Sequence, residues 1–174
     1  MSMELSGKKI VIPVENMFNT HEFWYPYYRL KEAGCEVVVM GSGSAETYTG
    51  KPGTEVTVDV SADQVSAADF DGIVIPGGYA PDLMRRYPKM VQLVKDFDEA
   101  GKVVAAICHA GWMLASAKIL QGKTVTSFFA IKDDLIHAGA TWVDQEVVVD
   151  GNLITSRKPD DLPAFMRAII AALK

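Results

Sequence analysis

Cysteine is scarce in this chain of 174 residues: Cys35 and Cys108 are the only two, and in a reducing compartment they are not expected to form a structural disulfide. The three histidines are scattered, with no Cys-x-x-Cys or His-x-x-x-His spacing, so no metal site is read from the sequence. No apolar run approaches the length of a membrane span, and residues 1–9 lack the apolar core of a signal peptide. A cytoplasmic location is therefore expected. Basic clusters are also missing, and the net charge is −5, which excludes the electrostatic footprint of a nucleic-acid or anionic-membrane partner. Gly50-Lys51-Pro52-Gly53 is turn chemistry without the pattern of a phosphate-binding loop, and no cofactor is expected.

What the chain does have is an ordinary globular composition, 49% hydrophobic and 22% charged, with no internal repeat or linker. Residues 1–174 should form one domain. Apolar runs at 10–14, 37–40, 71–75 and 103–107 alternate with amphipathic stretches at 20–33, 88–100 and 159–173. That alternation predicts a three-layer α/β sandwich with a mostly parallel, doubly wound sheet. Asp150-Gly151-Asn152 between short apolar runs predicts a hairpin, Lys123 to Thr126 reads as a short strand, Thr20 as the cap of the first helix, and Ser61 as the cap of a short helix over 61–68. Trp24, Tyr25, Tyr27 and Tyr28 read as core or subunit packing.

The chemistry concentrates at 103–117. A buried strand runs directly into Cys108, followed by His109, small Ala110 and Gly111, and then an apolar pattern at helical spacing. Strand, nucleophile, tight turn and helix make up a nucleophile elbow. The helix N-terminus would favour a thiolate, and His109 could either lower the thiol pKa or take its proton. A core cysteine is the competing reading, and this context outweighs it. Glu15 ends the first strand, where open α/β sheets place ligands, although a solvated loop accounts for it equally well. Gly77 and Gly78 end another strand and could supply oxyanion-hole N–H groups, or form a plain tight turn.

Tyr-Pro-Tyr-Tyr-Arg-Leu-Lys-Glu-Ala-Gly at 25–34, Ile-Pro-Gly-Gly at 75–78, Ala-Ile-Cys-His at 106–109, Ile-Lys-Asp-Asp at 131–134 and Val-Val-Asp-Gly-Asn at 148–152 resemble the PfpI intracellular protease family. That family lies in the class I glutamine amidotransferase-like superfamily, with the Parkinsonism-associated deglycases. The resemblance implies a flavodoxin-like sandwich and a catalytic Cys108–His109 pair, with Glu15 beside the sulfur. It also implies an oxyanion hole from the Gly77-Gly78 turn and the His109 N–H. A further acid, contributed by a neighbouring subunit, would correspond to Asp82, which implies a homo-oligomer, a dimer or a hexamer assembled from dimers. The sequence departs from the family in carrying Asp82 where the usual residue is Glu. It also departs in a longer segment at 16–23, in which Glu22 matches the last acid of the family's Phe-Glu-Asp-x-Glu pattern.

The leading functional expectation is a cysteine hydrolase of the PfpI peptidase type, acting on a peptide or small amide. Glyoxalase or deglycase chemistry on methylglyoxal or its adducts is the alternative, and a non-enzymatic stress chaperone or redox sensor acting through Cys108 is the third reading.

Overall fold

The computed structural model describes residues 3–174. In chain order, strand β1 (Lys9–Val14) leads to helix α1 (Thr20–Glu32), strand β2 (Glu36–Gly41), and the short strands β3 (Thr47–Thr49), β4 (Glu55–Thr57) and β5 (Val60–Ser61). Strand β6 (Gly72–Ile75) precedes helices α2 (Ala80–Met84) and α3 (Pro88–Glu99), strand β7 (Val103–Ile107) and helix α4 (Gly111–Ser116). Then come β8 (Thr124–Val125), α5 (Lys132–His137), β9 (Thr141–Trp142), β10 (Val147–Asp150), β11 (Leu153–Ser156) and α6 (Leu162–Leu173).

Seven strands form the main sheet in the order β10-β11-β7-β6-β1-β2-β5, all parallel except the β10–β11 hairpin. Helices α1 and α6 pack together on one face, and α2, α3, α4 and α5 associate on the other. The central strands are covered on both sides, which is why β6 and β7 are buried at every position and carry no polar alternation. The chain winds outward from β1 to β2 and β5, then returns to β6 and β7. Strand order thus reverses between β1 and β6, the crevice where open α/β sheets bind ligands.

Local chemistry moved some boundaries. Helix α1 is capped by Asn19, whose extended backbone lets its side-chain oxygen accept from the N–H groups of His21 and Glu22 at 3.0 and 3.1 Å. Thr20, the cap expected from sequence, is the first helical residue and donates its hydroxyl to the Pro52 carbonyl. The helix expected at 61–68 is two separate 3-10 turns, Ala62–Gln64 and Ala67–Asp69, because Val65 between them is extended. The strand expected near 123–126 shortens to β8 and pairs only with β9, outside the main sheet.

Glu15, at the end of β1, is buried and fully used. Its carboxylate accepts from the Asn16 N–H at 3.0 Å and from the hydroxyls of Ser42 and Ser44, which also contact the Tyr48 hydroxyl. This network anchors the β3–β4 hairpin to the end of β1. The hairpin turn in turn bonds to the start of α1, with the Lys51 N–H donating to the Phe18 carbonyl at 2.8 Å.

Asn19→Ala should lower the free energy of unfolding by about 1 kcal/mol, the usual cost of losing a helix N-cap, measured as a drop in the urea midpoint. An unchanged midpoint would remove Asn19 from that role.

Candidate active site

Strand β7 delivers Cys108 in the left-handed region at φ 62°, a conformation that non-glycine residues adopt only when surrounding structure imposes it. Cys108–Ala110 is a single 3-10 turn that feeds α4. The turn is tight enough that a side chain at Gly111 would meet Leu135 at 3.0 Å. This is the expected elbow. Cys108 Sγ lies 3.1 Å from His109 Nδ1. The imidazole stacks on Phe128 at 4.9 Å and meets the edge of Trp112 at 5.2 Å, and Trp112 is itself fixed by donating to Asp134 at 2.8 Å. Burial lowers the His109 pKa, so at neutral pH the ring is uncharged and can accept a proton.

The acid against the sulfur is Glu22, in the first turn of α1. Its side chain is fully buried, and Oε2 accepts the Gly77 N–H at 2.8 Å. A Cβ on Gly77 would stand 2.6 Å from that oxygen and 2.7 Å from Cys108 Cβ. Glycine is therefore required at 77 to let the carboxyl and the thiol approach. Oε1 is buried without a partner. Burial raises the Glu22 pKa to about 7, opposed by the bonds from Gly77 and Cys108. Burial also pushes the Cys108 thiol up to about 12, with the Glu22 charge adding to the rise and the N–H groups of Gly78 and His109 opposing it. The resting sulfur is consequently a thiol rather than the preformed thiolate expected at an elbow. The helix behind it is only six residues long and begins after the 3-10 turn, so its dipole does not offset burial.

Three expected positions are corrected or left apart. Glu15 is not beside the sulfur, since its oxygens are bonded to Asn16, Ser42 and Ser44. Gly77 does not serve an oxyanion, because its one N–H is committed to Glu22. Gly78, at φ 80°, and His109, both expected to serve an oxyanion, turn their N–H groups to the sulfur. Asp82 sits in α2 and pairs with Arg86 at 2.5 Å. Among the described residues, Cys108 is the one side chain bonded to the His109 ring. The sequence did hold a signal for Glu22. It shares the 22, 26, 30 face of α1 with buried Pro26 and Leu30, and a carboxylate on an inward stripe is out of place unless it is used.

Above the pair opens a cleft of about 560 Å³, walled by Tyr79, Trp112 and Phe128, with Glu22, Cys108 and His109 in its lining. Residues 8–172 match the DJ-1/PfpI family. The chain belongs to that family. A DJ-1/PfpI relative named deglycase PfpI, from Pyrococcus furiosus, is 45% identical over 95% of this chain and 99% of its own. YraA of Bacillus subtilis, provisionally named a cysteine protease, is 42% identical over 97% of this chain and 99% of its own. Among solved structures, a two-domain protein from Anabaena variabilis with DJ-1/ThiJ/PfpI-like and ferritin-like domains superposes with a TM-score of 0.93 at 47% identity. The match covers 95% of this chain and 48% of that one. No helix of the described residues is long and apolar enough to cross a membrane.

Raising a buried carboxyl from 4.5 to about 7 means the folded state holds a proton that the unfolded state has released. Glu22 therefore favours folding fully below about pH 4.5, and that contribution fades as pH climbs to 7, by about 3 kcal/mol. Urea melts of wild type and Glu22→Gln should diverge by that amount over this range, wild type weakening with rising pH. Parallel profiles would mean an unperturbed Glu22.

Proposed function

We propose that this protein is a thiol-dependent deglycase, acting on the carbonyl group of a reactive dicarbonyl such as methylglyoxal or of its adducts. The observation that carries this reading is the Glu22 carboxyl against Cys108, with a pKa near 7 where a proton shuttle works best. Sγ adds to the aldehyde carbon as the thiol proton passes to His109 Nδ1, and the carbonyl electron pair moves onto oxygen, within reach of the Gly78 and His109 N–H groups. When the aldehyde is tied to an amine as an adduct, the carbon–nitrogen bond breaks and His109 returns the proton to the leaving amine. Ionised Glu22 then removes the carbon-bound proton of the hemithioacetal and returns it to the neighbouring carbon, while the proton held by His109 or by the hemithioacetal hydroxyl passes to that carbon's oxygen, which leaves a thioester with a hydroxyl beside it. Water cleaves the thioester to a hydroxy acid and free thiol, so the sequence needs no external oxidant or reductant.

Peptide hydrolysis is the second reading. It needs an acid to orient His109, and within one chain the ring lacks a carboxylate partner among the described residues. Asp82, 29% exposed on α2, is the candidate from a neighbouring subunit, which would make the active form a homo-oligomer.

Cys108→Ala should abolish methylglyoxal consumption. Glu22→Gln should reduce kcat about 100-fold, the scale of a lost acid–base group. Fluorogenic-peptide cleavage that is faster than dicarbonyl turnover, confined to oligomeric fractions and lost in Asp82→Ala, would instead establish the peptidase.

A further inference from the structure

We propose that the cleft over Cys108 selects carbonyl compounds carrying an anionic group, a carboxylate or a phosphate, with Lys51 and Lys158 as the residues that receive the charge. Both lysines line the cleft, from two separate parts of the chain: Lys51 from the β3–β4 turn, and Lys158 from the segment between β11 and α6. The backbone of Lys51 is held on both sides, its N–H by the Phe18 carbonyl at 2.8 Å and its carbonyl by the Thr20 N–H at 3.4 Å. The ion pairs among the described residues do not include its ammonium group. Lys158 has only a loose pairing at 3.6 Å with Asp160, which is 85% exposed. Its neighbour Arg157 is spent on Asp144 and Asp161, each at 2.8 Å. Among the described residues Glu22 is the only acid in the cleft lining, and it is buried beneath the cleft with a pKa raised by that burial. A chain of net charge −5 thus keeps a locally positive mouth over its nucleophile. Lys158 and Phe128 also line an adjoining cavity of about 390 Å³, which leaves room for the body of a charged substrate.

The inference rests on Cys108 being the reactive group of this cleft, and alkylation separates the two ideas. Iodoacetate and iodoacetamide are nearly equal in size and differ in charge. Their rates of reaction at Cys108, followed by mass spectrometry of the Cys108 peptide at low salt, should split in a Lys51→Gln/Lys158→Gln double variant. Iodoacetate should slow about fivefold, the effect of removing two unit charges roughly 8 Å away in water, while iodoacetamide keeps its rate. About 1 M NaCl should produce the same slowing in wild type. Acetate and inorganic phosphate, added separately, should protect wild type from iodoacetamide more than the double variant, and the stronger protector identifies the anion. Equal slowing of both reagents, or none, overturns the charge selection and leaves the nucleophile in place. Failure of iodoacetamide to label Cys108 in wild type overturns both.

Discussion

A fully buried carboxyl pressed against a sulfur is the constraint on which the rest of this site depends. Two acids in one apolar space cannot both ionise cheaply, so Glu22 and Cys108 titrate as a pair and share at most one negative charge near neutral pH. The space exists because position 77 has no side chain, and its N–H holds the carboxyl in place. Around that point the fold supplies the β6 end with Gly77 and Gly78, the β7 end with Cys108, and the first turn of α1 with Glu22. Each comes from an element packed on the same central strands, and so the relative positions are rigid.

The balance of forces on the sulfur gives histidine its place in the proposed reaction. Two backbone N–H groups favour the thiolate, but burial and the neighbouring acid outweigh them. A thiol that does not ionise on its own needs a base, and a neutral imidazole at 3.1 Å is such a base. The same two N–H groups then stand free for an oxyanion once the sulfur is committed to carbon.

Much of this was legible in the chain itself. Apolar runs without polar alternation marked β1, β6 and β7 as central parallel strands, and Asp150-Gly151-Asn152 marked the β10–β11 hairpin. The Cys108–His109 elbow stood out because strand, small residues and helix follow one another with nothing between. The acid was misassigned for a physical reason. Glu15 occupies the strand end where ligands bind in such sheets, yet two serine hydroxyls from a distant loop consume it, and those contacts span 27 residues or more. Glu22 sits within a helix, where carboxylates ordinarily face water, and only the return of the chain through Gly77 makes it internal. Cap and turn boundaries shifted because Asn19 competed with Thr20, and because Val65 kept an extended backbone.

The aromatic clamp on His109 carries a consequence for proton traffic. A ring stacked on Phe128 and packed edgewise with Trp112 does not turn over easily, so its two nitrogens keep distinct surroundings. In the proposed reaction Nδ1 exchanges protons with sulfur, which leaves Nε2 as the nitrogen for exchange with bulk water. Whatever fills the cleft that His109 lines, whether solvent, product or another polypeptide, would therefore set how quickly the imidazole resets in the proposed reaction.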